Sequence, residues 1–255
     1  MGEILELHDV SLSFKGVKAL NALSFKVRKG EICALIGPNG AGKSSLLNVI
    51  NGVYRAQSGD VLFDGTRFES IHPRKAAHLG IGRTFQHNAL FRRLSVQENV
   101  LAGLARHGRT VFLENIFRFG RDTEERHSFE ARARRIIAFL GLEAHRDTIV
   151  STLPYGIQKR VDLARALVAD PKLLLLDEPM AGMNQEEKQE MSRVIAEVNR
   201  TFGTTVVLIE HDVGIVMGLA HHVVVLDYGR KVADGAPEDV RNDPEVIAAY
   251  LGTVH

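Results

Sequence analysis

The rhythm of apolar positions changes along this chain, and each change predicts a different kind of element. Residues 4–14 (ILELHDVSLSF) alternate in part, and residues 22–27 form a second β-prone run, so the chain is expected to begin as antiparallel sheet. Lys29-Gly30 reads as a turn. Residues 31–36 (EICALI) are a short apolar run that leads into glycines and then a helix-prone stretch, the pattern of a buried central strand. Residues 59–64 read as a further strand before the turn at Gly65, and residues 80–85 as another. From 95 to 148 the pattern is mostly helical. Beyond it strand and helix alternate: helix over 157–169, broken by Pro171; strand over 173–176; helix over 185–200; strand over 204–209; helix over 213–219; strand over 223–226. Fully apolar strands between helices argue for a mostly parallel sheet covered by helices.

Composition bounds what such a fold does. The 255 residues hold 45% hydrophobic positions, enough for a substantial core and for one large domain or a domain with an insert. The 32 basic and 31 acidic residues give a net charge of +1, which offers no support for an electrostatic nucleic-acid binder. Cys33 is the only cysteine, so an intrachain disulfide and a four-cysteine metal site are both excluded. No run reaches the 18 apolar residues of a spanning helix, and the acidic start MGEILELHD lacks a signal-peptide pattern. Residues 104–148 hold nine Arg, seven acidic residues and five Phe. That mixture fits an amphipathic helical subdomain with a solvated face, or a partner-docking surface.

The strongest chemical signal is a phosphate-binding loop. Gly37, Pro38, Asn39, Gly40, Ala41, Gly42, Lys43 and Ser44 match GxxxxGK[ST] in full, between a predicted strand and a predicted helix. The glycines let successive backbone N–H groups turn toward phosphate oxygens, and the helix N-terminus adds partial positive charge. Lys43 is expected to reach the β and γ phosphates of ATP, the Ser44 hydroxyl to ligate Mg²⁺, and Ser45 to donate to the α phosphate. Asp177 ends the apolar run KLLLLD, which puts it at the carboxyl edge of the sheet, where ligands bind in open α/β sheets. There it would hold Mg²⁺ through the water shell. Glu178 is placed to polarise the attacking water. An acidic helix cap is the alternative for this pair, but two carboxylates after four leucines are costly unless paired or facing a cation. His211 follows TTVVLIE and is placed either to hydrogen-bond the γ phosphate or to hold the water; standing between Glu210 and Asp212, it is expected to have its tautomer set by a carboxylate.

These motifs come in one order: the phosphate loop, Gln86, Leu153–Gln158, LLLLDEP, and a histidine after a β run. That order resembles the ATPase subunit of ABC transporters over nearly the whole chain. The resemblance implies an α/β fold: a P-loop NTPase core, RecA-like with a mostly parallel sheet, an N-terminal antiparallel β subdomain and an inserted helical subdomain. It implies one ATPase domain over 1–255 with the helical part near 95–165. It assigns Phe14 to stacking on adenine, with core packing as the alternative. It also assigns Gln86 to Mg²⁺ and to sensing a membrane partner, Glu178 to the catalytic base and His211 to the switch histidine. The resemblance further implies that Ala181-Gly182-Met183-Asn184 sits where the family's dimer-contact loop belongs, with Asn184 where the family usually has Asp.

The family's signature segment, Leu-Ser-Gly-Gly-Gln, reads Leu153-Pro154-Tyr155-Gly156-Ile157 here. Pro154 removes both a hydroxyl and a backbone N–H. On the resemblance, Tyr155, Gly156 and the helix start that follows are expected to serve in the contact with nucleotide across a dimer, a functional but altered contact; the alternative is an asymmetric pair in which one of two composite sites hydrolyses slowly. A narrower resemblance, to the LivG-type ATPases of branched-chain amino acid importers, rests on the tyrosine before the signature glycine, on EPMAGMNQEE and on LDYGRKVADGAPEDVRNDPEVIAAYLG. Urea and amide importers use similar ATPases. The resemblance implies a homodimer or a heterodimer with a paralogous ATPase, favouring the latter. It further implies two separate permease subunits, a solute-binding protein acting indirectly, no nucleic acid, and a place on the cytoplasmic face of the membrane.

Overall fold

The computed structural model describes residues 2–68, 73–84, 90–104 and 123–251. Two long strands, β1 (Glu3–Phe14) and β2 (Val17–Arg28), pair antiparallel from a tight turn. With β4 (Ser58–Phe63) and β5 (Thr66–Phe68) they form a four-stranded sheet in the order β2-β1-β4-β5. β3 (Ile32–Ile36) starts a second sheet, completed by β6 (Ile81–Arg83), β7 (Leu173–Asp177), β8 (Thr205–Ile209), β9 (His222–Asp227) and β10 (Arg230–Gly235). Its order is β10-β9-β3-β8-β7-β6, parallel throughout except for β10, which returns antiparallel along β9.

Alternate residues of the parallel strands enter two different cores. Ala34, Leu174, Leu176, Val206 and Leu208 face one; Cys33, Leu35, Leu173, Leu175 and Val207 face the other. This is why the strands read as unbroken apolar runs: both faces are covered. The first face packs against α3 (Val96–Ala102), α4 (Thr123–Phe139), α5 (Tyr155–Leu167), α6 (Gln185–Phe202) and α7 (Val213–Leu219). The second packs against α1 (Lys43–Ile50) and the antiparallel sheet. Two 3₁₀ turns, at Glu143–His145 and Val150–Thr152, join α4 to α5. α2 (Pro73–Leu79) precedes β6, and α8 (Pro237–Arg241) and α9 (Pro244–Leu251) follow β10. The expected α/β architecture is therefore present, with helices α3 to α5 placed between β6 and β7.

A polar cluster ties the two sheets together at the end opposite the phosphate loop. His222, at the start of β9, sits between Glu31 (Nδ1···Oε1 3.2 Å) and Asp234 of β10 (Nε2···Oδ1 2.5 Å). Glu31 also accepts the Arg28 N–H at 2.7 Å, and Lys231 reaches Asp234 at 2.6 Å. Burial opposes charge on His222, but hydrogen bonds to Asp234, Cys33 and Glu31 outweigh it, and the imidazole pKa is pushed up to about 12. Among the described residues no helix is long and apolar enough to cross a membrane.

Candidate active site

The phosphate loop leaves buried β3 and turns into α1. Gly42 caps that helix with φ of 103°, and a Cβ there would collide with the carbonyl oxygen of Ala19 on β2. Only glycine allows that conformation and that approach together. Further bracing comes from the turn after β9, where the Gly229 N–H donates to the Ala41 carbonyl at 2.9 Å. The first N–H groups of α1 have no partner within the helix by its geometry, which leaves them available to an anion such as phosphate. The Lys43 ammonium donates to the carbonyls of Gly37 (2.7 Å) and Pro38 (2.9 Å). Burial lowers its pKa, while Glu178 and Asp177 act to raise it. Ser44 is exposed and Ser45 half-buried at the same helix start.

Asp177 closes β7 and is almost fully buried. Burial raises its pKa, and the neighbouring Arg83 acts against that rise. Its Oδ2 accepts from Arg83 Nη2 at 3.1 Å, whereas Oδ1 is buried without a hydrogen-bond partner among the described residues. A carboxylate oxygen left in that state suits a hydrated divalent cation, so Asp177 and the Ser44 hydroxyl fit Mg²⁺. Glu178 adopts φ of 50°, a conformation that non-glycine residues seldom take, and its N–H donates to the Ile209 carbonyl at 3.1 Å. Its Oε1 lies 2.7 Å from His211 Nε2. The carboxylate beside the histidine is thus Glu178, not a sequence neighbour. Glu210 turns inward to accept the Met180 N–H (2.9 Å) and the His211 N–H (3.3 Å), and burial raises its pKa. Asp212 caps α7 and pairs with Lys188 at 3.1 Å.

Phe14 ends β1 with its ring half-exposed, against Tyr54 at 5.1 Å between centroids in an edge-on arrangement. Pro154 precedes α5 without any side-chain cap, and Gln158 donates its backbone N–H to the Pro154 carbonyl at 3.0 Å. The Tyr155 ring packs over Gly182 of the loop after β7, and the Lys159 ammonium lies 5.6 Å above that ring. Gly156 faces the Glu187 carboxylate. Asn184 makes a capping box with Glu187, each side chain accepting the other's backbone N–H at 2.9 Å. Such a cap needs only an acceptor, which Asn supplies as well as Asp. Gln86 lies among residues 85–89, outside the described residues. Arg83, Asn48 and Tyr54 were not singled out from sequence, whereas Glu210 was read as a neighbour that could set the His211 tautomer. Only Arg83 left a usable trace: an arginine in the apolar run before Gln86.

A family model described as ABC transporter matches residues 20–181, and one described as branched-chain amino acid ATP-binding cassette transporter matches residues 230–255. The high-affinity branched-chain amino acid transport ATP-binding protein LivG of Salmonella typhimurium is 36% identical over 249 residues, 98% of each chain. BraF of Pseudomonas aeruginosa, with the same description, is 36% identical over 252 residues, again 98% of each chain. A nucleotide-free ATP-binding cassette from an ABC transporter superposes with a TM-score of 0.86 at 32% identity, covering 98% of this chain and 100% of that one. The ADP conformation of an ABC transporter cassette gives a TM-score of 0.87 at 32% identity over 99% of this chain and 100% of that one. Sequence and fold agree over nearly the full length: the chain belongs to the ABC transporter family, as an ATP-hydrolysing cassette.

Proposed function

We propose that this cassette powers an importer of branched-chain amino acids through separate membrane permeases. The observation that carries the catalytic half of this reading is the Glu178–His211 contact at 2.7 Å beside the phosphate loop. In the proposed cycle the loop amides and Lys43 hold the phosphates of ATP, and Phe14 stacks on adenine. Glu178 accepts a proton from the attacking water, and His211 orients that carboxylate and senses the γ phosphate. Mg²⁺ bound by Ser44, Asp177 and Gln86 would neutralise charge on the β and γ phosphates. Residues 1–255 act as one cassette with a helical subdomain over 95–165. Two cassettes pair head to tail, each offering Tyr155 and Gly156 to the nucleotide of the other, as a homodimer or with a paralogue. The pair docks on permeases at the cytoplasmic face, with a solute-binding protein on the far side.

The 36% identity to LivG and BraF and the match over residues 230–255 support the choice of solute. The test is reconstitution with the co-purifying permeases in vesicles, with the solute-binding protein supplied. Leucine-stimulated ATP hydrolysis and leucine uptake are expected. Stimulation by urea or amides instead would overturn the solute assignment, and co-purification with DNA or ribosomes in place of permeases would overturn transport itself.

A further inference from the structure

Arg83 joins three segments that the hydrolytic site needs in fixed relation. It ends β6, paired with Leu175 of β7, and its side chain is almost entirely buried. Nη1 donates to Asn48 Oδ1 on α1 at 2.7 Å, and Nη2 donates to Asp177 Oδ2 at 3.1 Å. The next residue holds the same aspartate from its backbone: the Asp177 N–H donates to Thr84 Oγ1 at 3.4 Å. The end of β6 therefore grips Asp177 twice, while α1, which starts with Lys43 and Ser44, is tied to it through Asn48. One carboxylate oxygen is committed to this grip. The other, Oδ1, is buried with no hydrogen-bond partner among the described residues.

We propose that Arg83 is a positioning residue for the divalent cation of the nucleotide complex. By holding Oδ2 it fixes the rotation of the Asp177 carboxyl group, leaves Oδ1 as the free ligand, and sets the distance between that oxygen and the Ser44 end of α1. The guanidinium suits this task because its planar fork serves an amide oxygen and a carboxylate at once, which a lysine ammonium does with less geometric control. The proposal rests on the reading of Asp177 and Ser44 as cation ligands.

The test measures binding, not turnover. The affinity of a fluorescent ATP analogue is measured in EDTA and then over a range of free Mg²⁺, for wild type, Arg83→Gln, Arg83→Lys and Asn48→Ala. Outer-sphere partners of a metal ligand typically change metal affinity by about 10- to 100-fold. Arg83→Gln is expected to raise the Mg²⁺ concentration for half-maximal effect by that range, with the affinity in EDTA unchanged. Arg83→Lys should recover part of the loss. Asn48→Ala, which keeps the charge beside Asp177, should shift it the same way by less, and it carries the test should Arg83→Gln fail to fold. An unchanged Mg²⁺ response in Arg83→Gln or Asn48→Ala overturns the proposal. So does an equal loss in EDTA, which would make Arg83 a general prop, or a tighter Mg²⁺ response, which would make it a competitor of the cation. A wild-type protein that binds nucleotide without any effect of Mg²⁺ would instead sink the reading of Asp177 and Ser44.

Discussion

His222 offers a quantitative test of how the two sheets are joined. The imidazolium is held by Asp234 at 2.5 Å and Glu31 at 3.2 Å, and its side chain is only 15% exposed. Its pKa is about 12 in the folded protein, against about 6.5 in an unfolded chain. A histidine whose folded value is raised gives stability that is complete below its unfolded value and is lost as pH rises toward its folded value. Between pH 7 and 10 the folded state therefore carries one proton that the unfolded state has released. Linkage then requires the unfolding free energy to fall by about 1.4 kcal/mol per pH unit from this group alone. Over three units the loss is about 4 kcal/mol, a large part of the 5–15 kcal/mol typical of a folded protein. Urea denaturation at intervals from pH 7 to 10, on wild type and His222→Asn, isolates the effect, because the lysines and tyrosines titrate in both proteins. The variant should be less stable at pH 7, with a slope shallower than wild type by about 1.4 kcal/mol per unit. Parallel slopes would show that the imidazole is not held as a cation, and the clamp between β2, β9 and β10 would have to be explained by packing alone.

Other expectations follow from single contacts. Glu178→Gln keeps an oxygen for His211 but removes the base, so hydrolysis should fall about 10²- to 10⁴-fold while ATP binding survives; single-turnover phosphate release with a parallel binding titration reads both, and near-normal release would refute the assigned role. Gly42→Ala introduces a Cβ against the Ala19 carbonyl at φ of 103°, so nucleotide affinity should drop at least tenfold, roughly the effect of 1.4 kcal/mol of strain; unchanged affinity by equilibrium titration would count against the described loop geometry. Asn184→Ala breaks the capping box on α6 and should cost about 1 kcal/mol in chemical denaturation, whereas Asn184→Asp should be nearly neutral for stability.

The sequence by itself settled whatever depends on local pattern. The phosphate loop is legible because its glycines, Lys43 and Ser44 are contiguous and their spacing is dictated by the phosphates they surround. The buried strands are legible because burial on both faces removes the alternation of a half-exposed strand, as in LLLL before Asp177. The antiparallel start showed through its partial alternation, but β2 runs Val17–Arg28, well beyond the expected 22–27, because pairing with β1 extends a strand past its own propensity. β10 escaped because its sequence, RKVADG, lacks the apolar run that marks the buried strands, and the short helices α2, α8 and α9 were not read from the pattern. The tertiary structure alone decided which distant groups meet. His211 stands between two acidic neighbours in sequence yet contacts Glu178, 33 residues away, because β7 and β8 lie side by side and their ends converge. Arg83 meets Asp177 across 94 residues for the same reason, through the pairing of β6 with β7. Spacing along a chain carries the chemistry of one loop; the register of a parallel sheet, set by long crossovers, chooses the partners of everything else.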